Sequence, residues 1–291
     1  TISKFLMSSL HLSAVTKGTR FSSSYRVYFR DTNKGFISSL HDIPLRPANR
    51  AGHIFNMIVE IPRWSTAKME ICKSEPLNPI KQDVKNGRLR YVNNVFPYHG
   101  YIWNYGAFPQ TYEDPNAIDP STGAGGDDDP LDVIEVGSAL RETGDIVEVK
   151  VLGALALVDE GEMDWKVIGI DRLDPISNEL NTIDDIECFM PGLVEHTIRW
   201  FSAYKYPKSG TFNEFAYGGK VQDIDKTLSV IFSAHNAWNQ LISGSLKTKK
   251  PVCLQSATNI ESSQDRDELV IREKDEREED ESVSERDLLF Y

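Results

Sequence analysis

Gly126-Asp127-Asp128-Asp129-Pro130-Leu131-Asp132-Val133 sets four carboxylates within six residues and then runs into the apolar stretch Val133-Ile134-Glu135-Val136. Carboxylates this close repel one another, and each is costly to desolvate unless a cation sits among them. A hard divalent metal, which takes oxygen donors, is the occupant such a segment favours. On a regular strand Asp127 and Asp129 share one face and Asp132 takes the other, so the three converge only through a local bend. Pro130, with fixed φ and no N–H, is its expected source. A solvated charged loop is the plain alternative. Two other readings fail on spacing. Counted from Asp127, the EF-hand positions 1, 3, 5, 6 and 12 fall on Asp127, Asp129, Leu131, Asp132 and Ser138, so the third ligand, the Gly and the Glu are all missing. Gly123-Ala124-Gly125-Gly126 lacks the dinucleotide fingerprint, and no Gly-x-x-x-x-Gly-Lys-Ser/Thr occurs.

Downstream, the mostly apolar Ile146 to Val158 ends in Asp159-Glu160-Gly161-Glu162-Met163-Asp164, after which Trp165-Lys166-Val167-Ile168 resumes a strand pattern. This predicts a hairpin that brings Asp159 and Asp164 near each other at the strand ends, with Lys166 on the same face as Asp164. Lys68 and Glu70, two apart in Lys68-Met69-Glu70-Ile71, share a face if that stretch is a strand. Taken alone, each of these is a surface turn or a surface ion pair of small value. Arg90 in Leu89-Arg90-Tyr91-Val92, the aromatic Tyr101-Ile102-Trp103-Asn104-Tyr105, and Tyr204-Lys205 at the end of a helical pattern before Pro207 are equally ordinary alone.

Taken together and in order, these segments resemble the soluble inorganic pyrophosphatases of family I, eukaryotic type. The resemblance covers roughly Tyr25 to Gly244, through His41-Asp42-Ile43-Pro44-Leu45, Ile61-Pro62-Arg63-Trp64, Gly106-Ala107-Phe108-Pro109-Gln110, Asp-x-Asp-Pro-x-Asp at Asp127 and Asp-Glu-Gly-Glu-x-Asp-Trp-Lys at Asp159. It implies an α+β, mainly β fold: a small closed OB-like β-barrel flanked by helices. It also implies a homodimer that hydrolyses pyrophosphate to two phosphates and holds about three to four Mg2+ ions per site in oxygen ligands. The resemblance assigns metal ligation to Asp127, Asp132, Asp159 and Asp164, with Glu70 directly or through water. It assigns the base that polarises the attacking water to Asp129 and phosphate binding to Lys68, Arg90, Tyr204 and Lys205. Lys166 falls among the acidic ligands, Tyr101 on a tyrosine often assigned as proton donor, and Glu60 and Tyr105 on pocket residues. Asp128 stands where the family more often has Asn or Ser, a non-ligand position expected to tolerate the change.

The charges support that chemistry independently. Glu70, Asp127, Asp129, Asp132, Asp159 and Asp164 outnumber Lys68, Arg90, Lys166 and Lys205, so a site made of them repels an anionic substrate until divalent cations reverse its sign. Phosphoryl transfer to water then needs a nucleophile, charge neutralisation and an in-line leaving group. On the roles the resemblance implies, divalent cations held by these acids would make a water easier to deprotonate, Asp129 would accept its proton, and Arg90 and Lys205 would neutralise the departing phosphate.

At 291 residues and 40% hydrophobic composition the chain suffices for a buried core. Strand-like runs at Ile54–Ile61, Leu89–Val92, Val133–Val136, Ile146–Val158 and Trp165–Ile170 precede two helical patterns. The clearer helix carries Ile224, Leu228, Ile231, Phe232, His235, Trp238 and Ile242 as a core-facing stripe, with His235 a packed histidine. No repeat or membrane-length apolar run is visible, so residues 16–244 are expected to form one catalytic domain after an N-terminal extension, 1–15. From Glu261 to Asp287 there are thirteen acids and five bases, and residues 245–291 are expected to be an acidic tail, disordered or weakly helical, dispensable for hydrolysis. The first thirty residues hold Lys4, Lys17, Arg20, Arg26 and Arg30, many serines and no acid, a transit-peptide composition. The cytosol is expected, with a mitochondrial form as alternative. Cys72, Cys188 and Cys253 lack paired spacing, which fits a reducing compartment and argues against zinc. Net charge −12 gives no electrostatic reason to bind nucleic acid, so neither a nucleic-acid nor a membrane partner is expected. A nucleic-acid-binding barrel and a non-catalytic cation-binding protein are the competing classes.

Overall fold

The computed structural model describes residues 12–275 apart from Ser121 and Glu261. A first sheet is made of β1 (Leu12–Lys17), β2 (Arg26–Asp31), β3 (Gly35–Ile37), β5 (Met69–Ile71) and β6 (Ile80–Gln82), in the order β1-β2-β6-β5 with β3 on β2. Between its strands the chain contributes β4 (Ile54–Ile61) to a second sheet, and β7 (Val84–Lys85) with β8 (Arg88–Leu89) form a small ribbon. The second sheet continues with β9 (Asn104–Ala107), β10 (Asp132–Glu135), β11 (Ile146–Asp159), β12 (Glu162–Asp171) and the short β13 (Glu214–Phe215). Its order is β12-β10-β9-β4-β11, and β11 also pairs with β12, so these strands close into a ring. This is the small closed barrel that was expected. The helices α1 (Ile183–Phe189), α2 (Leu193–Ala203) and α3 (Tyr206–Ser209) follow β12, α4 (Ile224–Ile242) follows β13, and α5 (Ser263–Asp275) comes last.

The ring strands are apolar on both faces, and their period of two sorts them into two cores. Ile58, Ile134, Leu155, Leu157, Ile168 and Ile170 face a core shared with the first sheet and with Trp200 and Phe201 of α2. Phe55, Met57, Val133, Ala154, Ala156 and Val167 face a second core closed by Ile231 and Ala234 of α4. A bulge between Val151 and Gly153 lets β11 bend while serving both.

Helix α4 begins at Asp223, whose carboxylate accepts the Lys226 N–H, a favourable N-cap. Its extent matches the predicted helix, but the stripe is rotated. Thr227, Ile231, Ala234, Trp238 and Leu241 are buried, whereas Phe232 and Ile242 are exposed. Phe232 instead lies under the Arg46 guanidinium, 5.2 Å from its ring centre. His235 is packed, stacked on Trp238 with Nδ1 2.7 Å from the Gln110 carbonyl.

Strand pairing and packing extend on both sides of residues 16–244. β1 pairs with β2 along its whole length from Leu12, so ordered pairing starts before Thr16; residues 1–11 of the N-terminal extension lie outside the described residues. The segment after Gly244 is laid along the catalytic unit as far as it is described. Leu246, Val252 and Leu254 pack on Tyr112, Trp238 and Leu241, and the Cys253 N–H donates to the Lys73 carbonyl at 2.7 Å. Arg266 of α5 is buried and donates to the backbone carbonyls of Lys34, Phe36 and Ile260, beside a buried Val270. Acidic composition concealed these few anchors. Residues 276–291 of the predicted acidic tail lie outside the described residues. Truncation after Gly244 is therefore expected to destabilise the protein: each fully buried aliphatic side chain removed forfeits about 1.5–3 kcal/mol, at roughly 2–4 °C of Tm per kcal/mol. An unchanged melting curve for the truncated chain would refute the packing.

Candidate active site

The barrel register builds the centre of the site. β10 runs parallel to β12 with Asp132 opposite Lys166, and Lys166 lies two residues beyond Asp164 on the same face. The buried Lys166 ammonium accordingly donates to both Asp132 and Asp164, and to the Tyr105 hydroxyl at 3.3 Å. Tyr105, on the neighbouring β9, donates its own hydroxyl to Asp132. The predicted hairpin is present, with Asp159 opposite Glu162 at its tip.

The turn before β10 bends at a different residue from the one expected. Asp128, with φ of +73°, takes the left-handed conformation that Asp and Asn tolerate best among residues with a Cβ, and this reversal brings Asp127 and Asp129 to the same cavity as Asp132. Pro130 only follows it. Asp128 itself is buried, accepting from the Tyr112 hydroxyl and from Lys73. Gly126 has no room for a Cβ, which would stand 2.5 Å from the Glu113 carbonyl carbon, so the chain must be bare there.

A cavity of about 250 Å³ gathers Lys68, Glu70, Arg90, Tyr105, Asp127, Asp129, Asp132, Asp159, Asp164 and Lys166, together with Glu60. Three predicted residues stand behind this wall. Tyr204 donates to Asp159 at 2.9 Å and Lys205 pairs with the same carboxylate at 2.5 Å. Tyr101 is buried, its ring 5.0 Å from that of Tyr105 and 4.8 Å from Trp200. The predicted cations each hold an acid: Lys68 pairs with Glu70 at 2.9 Å and Arg90 with Asp83 at 2.9 Å. With Glu160, Glu162 and Lys250 also in the wall, nine carboxylates face four bases, so the cavity is more acidic than the sequence count suggested.

Glu113 is the residue the sequence reading missed. Its Oε1 accepts the Trp165 N–H at 3.2 Å, its Oε2 is buried with no hydrogen-bond partner, and its carboxylate lies within 4.8 Å of those of Asp127 and Asp164. A lone Glu in Tyr112-Glu113-Asp114-Pro115 carries no spacing signal.

Burial, then the neighbouring carboxylates, push Glu113 and Asp127 well above the usual carboxylate range. Burial and Asp132 likewise raise Glu60. Asp164 reaches about 7 by burial, with Lys166 restraining the rise. Burial would lower Lys68 and Lys166, yet the facing acids more than offset it and keep both ammonium groups protonated. Tyr101 is pushed up to about 12 by burial, so its hydroxyl carries its proton at neutral pH. A compact set of oxygen donors that repel one another, one of them unpartnered, with no His or Cys among them, fits a hard divalent cation.

The chain is similar to known proteins in sequence and in fold. The family model described as Inorganic pyrophosphatase matches residues 57–239. The chain is 53% identical over 241 residues to an inorganic pyrophosphatase of Kluyveromyces lactis, covering 83% of each chain. It is 48% identical over 235 residues to inorganic pyrophosphatase 2, mitochondrial, of Mus musculus, covering 76% of this chain and 71% of that one. The structure is similar to that of the inorganic pyrophosphatase from Schistosoma japonicum, with a TM-score of 0.77 and 47% identity over 84% of both chains. On its sequence and its fold alike, the chain belongs to the family of soluble, family I inorganic pyrophosphatases.

Proposed function

We infer that this chain is an inorganic diphosphatase that hydrolyses pyrophosphate to two phosphates in the cavity described above. The observation that carries this reading is the convergence of acids from β5, the Asp127–Asp132 turn and the Asp159–Asp164 hairpin on one cavity that also holds Lys68, Arg90 and Lys166. A cavity with nine carboxylates against four bases does not attract a polyanion unless cations are bound, which disfavours a nucleic-acid-binding barrel.

The donor set suits Mg2+ held by Asp127, Asp132, Asp159 and Asp164, with Glu70 at the rim and Glu113 adding a donor beneath. Bound there, the metal supplies positive charge for the phosphates and makes a coordinated water easier to deprotonate. The chain's own part follows from its geometry. Asp129, half-exposed at the cavity edge, accepts the proton of the attacking water. Lys68, Arg90, Lys166 and Lys205, now paired with acids, neutralise phosphate oxygens, and Arg90 offers a bidentate grip. Tyr105 and Tyr204 orient Asp132 and Asp159 through their hydroxyls, and Tyr101, protonated at neutral pH, is the proton donor held behind them.

Phosphate release from pyrophosphate is expected with millimolar Mg2+ and is expected to fall to background after chelation with EDTA. Release of phosphate at full rate in EDTA would exclude the metal-dependent reading. Assembly is read as a homodimer, and sedimentation as a monomer at micromolar concentration would refute it. No helix among the described residues is long and apolar enough to cross a membrane. The cytoplasm is the proposed location, with mitochondria as the alternative, and localisation of a tagged full chain to mitochondria alone would decide for the latter.

A further inference from the structure

We propose that Lys73 is a positioning residue for the reaction, fixing the Asp128–Asp129 turn so that the Asp129 carboxylate stays at the cavity wall; this rests on the reading of Asp129 as proton acceptor. Lys73 lies just beyond β5. Its ammonium is 2.6 Å from Asp129 Oδ1 and 3.1 Å from Asp128 Oδ2, and it also donates to the Asp128 backbone carbonyl. These contacts span the backbone and both side chains, so they fix the orientation of the turn as well as its charge.

Asymmetric exposure supports the assignment. The Asp129 side chain is 52% exposed while that of Lys73 is 11% exposed, so a mobile carboxylate is tethered by a cation already ordered by its surroundings. The Lys73 backbone is itself anchored, its carbonyl accepting from the Cys253 N–H at 2.7 Å and from Asn78 Nδ2 at 3.1 Å. On the far side the Tyr112 hydroxyl takes the other oxygen of Asp128, so the turn is pinned from two directions. Apart from Lys73, Asp129 is held through its backbone, its N–H donating to Asp127 Oδ1 at 3.0 Å and its carbonyl accepting from the Glu113 N–H at 2.8 Å, and neither bond fixes its side chain. The Lys73 ammonium is engaged by Asp128 and Asp129, so it acts through the turn.

The test is steady-state kinetics at saturating Mg2+ on Asp128→Asn, on Lys73→Met combined with Asp128→Asn, and on Lys73→Arg, each with its melting temperature. Asn keeps a residue suited to the left-handed turn. It also removes the buried charge that Lys73 neutralises, so the double variant carries no unpaired buried carboxylate at position 128. A displaced catalytic group costs on the order of 100-fold, so kcat of the double variant is expected about tenfold to 100-fold below Asp128→Asn, with KM little changed. Lys73→Arg is expected to recover most of the loss. In an Asp129→Asn background the loss of Lys73 is expected to add almost nothing, because residues acting as a unit are not additive. Turnover in the double variant equal to that of Asp128→Asn, or a full additional loss in the Asp129→Asn background, overturns the proposal while leaving Asp129 as base. Full turnover in Asp129→Asn overturns the reading of Asp129 itself, and the proposal with it.

Discussion

Asp129→Asn is expected to lower kcat for pyrophosphate hydrolysis by about 10²- to 10⁴-fold, the usual contribution of a positioned general base, while leaving KM and the Mg2+ requirement nearly unchanged. The two carboxylates Asp129 and Asp132 stand three residues apart yet in opposite surroundings. Asp132 is largely enclosed, accepting from Lys166 and the Tyr105 hydroxyl. Asp129 faces the opening and is held by Lys73. Loss of charge at Asp129 removes a proton acceptor from the edge and leaves the inner donor set intact. Asp132→Asn removes an inner donor, and is therefore expected to raise the Mg2+ concentration for half-maximal activity as well as to lower kcat. Titrating Mg2+ against rate for both variants separates the roles. An Asp129→Asn enzyme with wild-type turnover at saturating Mg2+ would end the base assignment, and a shift in Mg2+ demand equal to that of Asp132→Asn would make Asp129 a ligand instead.

Why this much was legible follows from what a linear sequence encodes. Charge density marked Asp127, Asp129 and Asp132, because four adjacent acids are costly without a cation. Period-two alternation placed Lys166 with Asp164 and Lys68 with Glu70, as the 2.9 Å pair shows for the latter. Alternation describes faces within one segment and is silent on which segments meet. The parallel pairing of β10 with β12, which puts Asp132 opposite Lys166, therefore had no local signal, and the resemblance placed Lys166 among the acids without giving that pairing. Single residues delivered by loops were invisible for the same reason: Glu113, Lys73 and Asp83 each reach a site residue from a stretch without periodicity. The bend was misplaced onto Pro130 because proline's constraint is written in its ring, whereas the positive φ of Asp128 is imposed by the Tyr112 and Lys73 contacts around it. After Gly244 composition carries the acidity but not the anchors, since the buried Arg266 and Val270 belong to a helix whose other residues are mostly polar or charged.

Lys166→Met is expected to uncouple folding from function in a way that depends on pH and Mg2+. Methionine nearly preserves the volume, but it removes the buried cation that faces Asp132 and Asp164 and also offsets the charge of Asp127 and Glu113. Breaking a buried ionic network by deleting one partner costs about 3–5 kcal/mol, or roughly 6–20 °C of Tm at 2–4 °C per kcal/mol. The direction with pH follows from the raised carboxylates. Asp164, at about 7, keeps its proton in the folded chain over a range where the unfolded chain has released it. Such a group favours the fold at low pH, and that contribution is lost as pH rises from about 4 through 7. Without Lys166 the same carboxylates hold their protons to still higher pH, so the variant should melt close to wild type at pH 5 and far below it at pH 8. Mg2+ restores positive charge among the same oxygens, so adding it at pH 8 should narrow the gap in Tm even though kcat stays low for want of the lysine. A gap in Tm that is the same at pH 5 and pH 8, or that Mg2+ leaves untouched, would mean that these acids do not share one pocket with a cation.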